Sequence, residues 1–174
     1  MAERIEVLLS EAEVNKRIQE IGDQISKDYA GESVHLVCVL KGGSFFMCEL
    51  AKRITVPVSI DFMSVSSYGG DTKSSGVVRI VKDLDESLKD KHVIVIEDIV
   101  DSGRTLNYLL DMLQSRGPKD VKLCTLLDKP DRRVVEVKVD YTGFVIPDEF
   151  VVGYGLDYAQ KYRNLPYIGM VKFD

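Results

Sequence analysis

Hydrophobic and polar positions alternate between two periods along this chain. Near the N-terminus Val14, Ile18, Ile21 and Ile25 recur at helical spacing. Ser10 and Glu13 precede them as an S-x-x-E capping box, and Gly31 is a natural stop. The rest alternates short apolar runs with helical patterns. Val34 to Leu40 predicts a strand and Phe45 to Arg53 a helix. Val56 to Val65 and Val77 to Lys82 predict a ribbon whose tip is the polar stretch Gly69 to Gly76. Val93 to Ile96 is β-branched throughout, which suits a strand buried on both faces. Leu106, Leu109, Leu110 and Leu113 then predict a helix that ends near Arg116-Gly117-Pro118. Val121 to Leu127, Val139 to Ile146 and Pro166 to Lys172 complete the strands. Strands alternating with helices predict an α/β fold with a mostly parallel, twisted sheet flanked by helices.

Chemistry concentrates in HVIVIEDIVDSGRTL, residues 92–106. An apolar strand leads to two adjacent acids, Glu97 and Asp98, placed where that strand is expected to end. The loop Asp101-Ser102-Gly103-Arg104-Thr105 then opens a helix. Small residues at a helix start leave backbone N–H groups unpaired at the positive end of the helix dipole, and two hydroxyls add donors. That is a phosphate cradle. Two carboxylates beside a phosphate need compensation, which a divalent cation or the hydroxyls of a sugar would supply, and Mg²⁺ prefers such oxygen donors. The competing reading is an ordinary strand-to-helix turn capped by Ser102 or Thr105, with solvated acids.

A second strand–turn–helix unit carries Lys41-Gly42-Gly43-Ser44. It fits either a second anion site or a tight turn with a solvated lysine. Asp128-Lys129-Pro130 follows the next predicted strand, so Lys129 shares a sheet edge with Lys41, Glu97 and Asp101. Arg132, Arg133 and Lys138 read as a solvated basic face. The aromatic and glycine-rich segment 146–158 reads either as core packing or as a pocket wall.

The composition removes several classes. At 174 residues, with 45% hydrophobic and 29% charged residues, the chain suits one domain with a substantial core. No apolar run approaches the ~20 residues of a membrane span, and MAERIEVLLSEAE lacks a signal pattern. A cytoplasmic protein without a membrane partner is expected. The net charge of −5 argues against a nucleic-acid partner. Cys38, Cys48 and Cys124 have no metal-ligand spacing, and Cys38 and Cys124 lie in apolar runs.

VIVIEDIVDSGRTL resembles the phosphoribosyl-pyrophosphate (PRPP) motif of type I phosphoribosyltransferases. Leu40-Lys41-Gly42-Gly43, Leu126-Leu127-Asp128-Lys129 and the run Ile146-Pro147-Asp148 through Tyr158 narrow the resemblance to the hypoxanthine-guanine branch, over nearly the whole chain. The resemblance implies a single domain over 1–174, with a core from 12 to 145 and a small hood built by 1–11 and 146–174. It implies that Asp101, Ser102, Gly103, Arg104 and Thr105 hold the ribose 5-phosphate. Glu97 and Asp98 hold the ribose hydroxyls directly or through Mg²⁺, and Lys41, Gly42 and Arg163 hold the pyrophosphate. A non-proline cis peptide is implied between Leu40 and Lys41. Lys129 contacts the purine 6-oxo group, Phe150 stacks on the base and the Val151 backbone meets its exocyclic group. Asp157 lies beside the purine and joins a second Mg²⁺ or its waters. Ser67 and Tyr68 open a lid. Asp101 either accepts the proton of purine N7 or orients the base. The implied reaction transfers phosphoribosyl from PRPP to N9 of hypoxanthine or guanine, with Mg²⁺ as cofactor, small molecules as partners and a homodimer or homotetramer as the assembly. The alternatives are a xanthine- or pyrimidine-specific transferase and an RNA-binding, nucleotide-sensing regulator on the same fold. An oxidoreductase lacks support, because no G-x-G-x-x-G follows a strand.

Overall fold

A computed structural model describes residues 2–67 and 78–174, the side chain of Ser67 excepted. The strand β1 (Glu3–Leu9) leads into the helix α1 (Glu11–Asp28). Next come β2 (Val34–Val39), α2 (Ser44–Ala51) and β3 (Val58–Ser67), then β4 (Val78–Lys82), β5 (His92–Val100) and α3 (Arg104–Gln114). The chain closes with β6 (Asp120–Asp128), a 3₁₀ turn (Pro130–Arg132), β7 (Tyr141–Val145), β8 (Val151–Val152) and β9 (Ile168–Phe173). Six strands form the main sheet in the order β4-β3-β2-β5-β6-β7, parallel except for β4. A separate antiparallel sheet, β1-β9-β8, joins the two ends of the chain.

The continuous apolar runs reflect burial on both faces. Leu36 and Cys38 of β2, with Ile94 and Ile96 of β5, pack with the buried face of α1 (Val14, Ile18, Ile21 and Ile25) and with α2. Val37, Val93 and Val95 point the other way, against Leu106, Leu109 and Leu113 of α3. Successive strand residues face opposite sides, so a strand covered twice is apolar on both of its faces at most positions. The capping box at Ser10 and Glu13 forms in both directions.

One strand boundary needs revision, and two further segments gain structure. β5 continues to Val100, so Glu97 and Asp98 lie inside the strand rather than beyond its end. Pairing with β6 extends that far, Val100 lying opposite Asp128. The N-terminal segment, given no element from its own pattern, is the strand β1. The charged connection 82–91, for which no element is predicted, is anchored to the sheet. Leu88 is buried within it, and the backbone N–H groups of Asp85 and Glu86 both donate to Asp61 Oδ2 at 2.9 Å. The expected lid, from Tyr68 through the polar stretch 69–76, lies outside the described residues. Among the described residues no helix is long and apolar enough to cross a membrane.

His35, inside β2, is buried with Nδ1 2.6 Å from Ser59 Oγ, and burial lowers its pKa. The folded protein therefore resists protonation that the unfolded chain accepts near pH 6.5. As pH falls through that value the unfolded state binds the proton first, so stability declines below it and is fully present above it. The urea midpoint should fall between pH 7.5 and 6, and a His35→Gln variant should lose most of that dependence. An unchanged dependence in the variant would assign it to other groups.

Candidate active site

The parallel order brings the carboxyl ends of β2, β5 and β6 to one edge, where ligands bind in open α/β sheets. Cys38 lies opposite Ile96 and Val100 opposite Asp128. The Lys41–Gly42 turn therefore meets Asp98, while Asp101 and Lys129 follow directly from paired strand ends. The Lys129 N–H donates to Val100 O at 2.9 Å, which fixes that neighbourhood.

Glu97, Asp101, Ser102, Gly103 and Thr105 line one cavity of about 180 Å³, closed by Val39, Val65, Ile99, Leu106 and Leu109. Gly103 takes φ +82°, so α3 begins at a left-handed residue rather than at a Ser or Thr cap. The loop is held by its own side chains: Asp101 Oδ1 accepts the Ser102 N–H at 2.7 Å, and Ser102 Oγ accepts the Arg104 N–H at 3.4 Å. A larger recess of about 550 Å³, lined by Phe45, Cys48, Tyr154 and Pro166 among others, holds none of the expected site residues.

The two acids are neighbours in β5 and are shifted in the same direction. Burial pushes Glu97 well above the usual carboxylate range, and the charges of Asp98 and Asp101 add to this. Burial raises Asp98 as well, opposed by the Ile99 N–H, which donates to its Oδ1 at 2.7 Å. Crowded carboxylates with oxygen donors only are a fit for Mg²⁺, which takes one or two carboxylates and fills its shell with water and substrate oxygens. Among the described residues no group of three or more His, Cys, Asp or Glu could hold a metal by itself. Asp157 lies against the loop of Gln160 and Arg163. Its Oδ1 lies 3.4 Å from Arg163 Nη2 and its Oδ2 accepts the Gln160 N–H at 2.8 Å.

On the expected pyrophosphate side, the Leu40–Lys41 peptide is cis. The turn is closed by Ser44, whose N–H and hydroxyl both donate to Lys41 O at 3.1 and 2.7 Å. A Cβ on Gly42 would fall 1.9 Å from Asp98 Oδ2, and one on Gly155 would fall 2.1 Å from Gly42 O. Only glycines allow the turn, the acid and the hood loop to approach so closely. Arg163 Nη1 donates to Gly155 O at 2.6 Å. Gln160 Oε1 accepts from Lys41 Nζ at 3.4 Å and Arg163 Nη2 at 3.2 Å, and so joins the two cations. Ala159, Gln160 and Tyr162 all have positive φ, and concentrated backbone strain of this kind marks functional loops.

On the expected purine side, Lys129 is largely buried with Nζ 3.7 Å from Asp148 Oδ1. Phe150 is 51% exposed and meets Tyr158 edge-on at 5.6 Å, which leaves ring surface free for stacking. Val151 is buried in β8. Tyr68 is outside the described residues, and of Ser67 only its place at the end of β3 is described. Gln160 escaped the sequence reading, and Asp128, Asp148 and Arg133 carried no site role in it. Gln160 meets Lys41 and Arg133 meets Asp101 across long stretches of chain, so no local spacing announces them.

Residues 6–159 match the family model described as the phosphoribosyl transferase domain. The bifunctional protein TilS/HprT of Listeria monocytogenes is 56% identical over 166 residues, 95% of this chain, which spans only 26% of that longer protein. A hypoxanthine-guanine phosphoribosyltransferase of Streptococcus thermophilus is 52% identical over 166 residues, covering 95% of this chain and 92% of its own. The crystal structure of a hypoxanthine-guanine phosphoribosyltransferase from Bacillus anthracis superposes with a TM-score of 0.93 at 48% identity, covering 96% of this chain and 99% of that one. A phosphate-type loop beside an acid pair on a parallel sheet, and a family match across most of the sequence, lead to one conclusion: the chain belongs to the phosphoribosyl transferase domain family.

Proposed function

We propose that the protein is a hypoxanthine-guanine phosphoribosyltransferase of purine salvage, joining the ribose 5-phosphate of PRPP to N9 of hypoxanthine or guanine with release of pyrophosphate. The observation that carries this is the register of β5 and β6. It brings the loop that follows Val100 next to Lys129, which follows Asp128, and so supports a sugar phosphate and a base lying side by side. The names of the relatives support the same substrates.

In this reading Ser102, Gly103, Arg104 and Thr105 bind the 5′-phosphate, and Glu97 and Asp98 face the ribose hydroxyls. Mg²⁺, held by these acids and substrate oxygens, would offset the charge of the pyrophosphate. Lys41, Gly42 and Arg163 receive the leaving group. Charge develops at C1′ as in other glycosidic substitutions, so positioning and fixed electrostatics provide most of the rate. Asp101 sits between the phosphate loop and the base and takes the proton that the base loses. Phe150 stacks on the purine beside Val151, and Asp157 holds the Gln160–Arg163 loop. The enzyme is read as cytoplasmic, in keeping with three unpaired cysteines, and as a homodimer or homotetramer.

The direct test is incubation with PRPP, Mg²⁺ and each nucleobase, followed by absorbance. Turnover is expected with hypoxanthine and guanine; none with either base would overturn the reading. Lys129 carries the selection for a 6-oxo group because an ammonium has donors and no acceptor. Lys129→Gln should cost hypoxanthine about 1.5–3 kcal/mol in kcat/KM, the range for a hydrogen bond to a charged group. The ratio of hypoxanthine to adenine should narrow. A ratio equal to that of the unaltered enzyme would remove Lys129 from this role.

A further inference from the structure

We infer that Arg133 is a positioning residue for Asp101 and the phosphate loop, an inference that rests on the phosphoribosyl-transfer reading above. The cluster Arg132, Arg133 and Lys138 separates in three dimensions. The side chains of Arg132 and Lys138 are 57% and 89% exposed, whereas those of Arg133 and its partner Asp128 are 16% and 13% exposed. Arg133 Nη2 donates to Asp128 Oδ1, and its Nε donates to Asp101 O at 3.1 Å. The next two N–H groups, of Val134 and Val135, both donate to Ser102 O, at 2.9 and 3.0 Å. The Val135 carbonyl in turn occupies the space beside Gly103, 2.5 Å from where a Cβ would stand.

The consequence follows from peptide geometry. In a trans peptide the C=O and the following N–H point in opposite directions. Arg133 holds the Asp101 carbonyl, so the N–H of Ser102 is aimed the other way, onto Asp101 Oδ1 at 2.7 Å. Val134 and Val135 hold the Ser102 carbonyl, which aims the Gly103 N–H to the opposite side of that peptide. One guanidinium thus orients the peptide whose N–H fixes the Asp101 carboxylate. Through Asp128 the same group is tied to the strand end that precedes Lys129, so the phosphate side and the base side share one anchor. A lysine could pair with Asp128, but it lacks the planar fork that reaches both acceptors.

The test compares Arg133→Lys, Arg133→Ala and, as a control on the same segment, Lys138→Ala. Arg133→Lys should keep the thermal midpoint of the unaltered protein yet lower kcat roughly tenfold or more, because small displacements of a reacting group are costly. Arg133→Ala should also raise the KM for PRPP, and added methylguanidine should restore part of both losses. Lys138→Ala should match the unaltered protein. Unchanged kcat and KM in both Arg133 variants would overturn the inference. So would losses that follow the thermal midpoint and that methylguanidine leaves untouched. If the unaltered protein turns over neither base, the functional reading fails rather than this one. Calorimetric affinity for PRPP, lower in Arg133→Ala, then reads the loop alone.

Discussion

Asp101→Asn should lower kcat roughly 10²- to 10⁴-fold, the range for loss of a positioned proton acceptor, while the KM for PRPP changes only a few-fold. The structure makes this substitution selective. Asp101 Oδ1 accepts the Ser102 N–H, and the carbonyl oxygen of an asparagine can accept the same bond. The loop can therefore keep its shape while the side chain can no longer take up a proton. Steady-state kinetics with PRPP and hypoxanthine, together with calorimetric PRPP affinity, separate the two effects. Equal losses in kcat and in PRPP binding would mean that Asp101 orients the loop or the base and does not accept the proton.

Gly103→Ala should damage fold and site together. At φ +82° any side chain is strained, and here the added Cβ would stand 2.5 Å from the backbone oxygen of Val135 and 2.9 Å from Val137 Cγ2. The neighbouring oxygen belongs to backbone and cannot swing aside. A loss of about 1–3 kcal/mol is expected from the conformation and the crowding, with weaker PRPP binding because the loop's N–H groups are displaced. Gly117 supplies the comparison. It has the same φ of +82° but nothing within 4 Å of the position a Cβ would take. Gly117→Ala should show the conformational cost alone, about 1 kcal/mol, with an unchanged KM for PRPP. Similar thermal midpoints and KM values in the two variants would show that the contact with Val135 constrains nothing.

Much of the fold was legible because its signals are local. The buried strands β2, β5 and β6 carry short apolar runs, the capping box of α1 lies within four residues, and the loop 101–105 starts a helix with its own leucine stripe. β1 was not legible. Its partner is β9, with Glu3 opposite Phe173, so its extended form is set at the far end of the chain. The end of β5 was misplaced for a related reason: polar Glu97 and Asp98 look like a boundary, but pairing with β6 keeps the backbone extended to Val100. Arg132 and Arg133 are adjacent and chemically identical, and only the fold buries one and exposes the other.

The sequence by itself determined the strand–acid–loop–helix unit, because its chemistry depends on contiguous residues: β-branched apolar positions, two neighbouring carboxyls and a glycine that can turn left-handed. It also determined that lysines follow two further strands. Tertiary structure alone decided which of these groups meet. The register of the parallel strands brings Asp101 beside Lys129 and Gly42 against Asp98. The sheet joining the two chain ends seats Gly155 against Gly42, and Gln160 then bridges Lys41 and Arg163. Such meetings depend on contacts between distant segments that form only when the core packs, and no local pattern of residues encodes them.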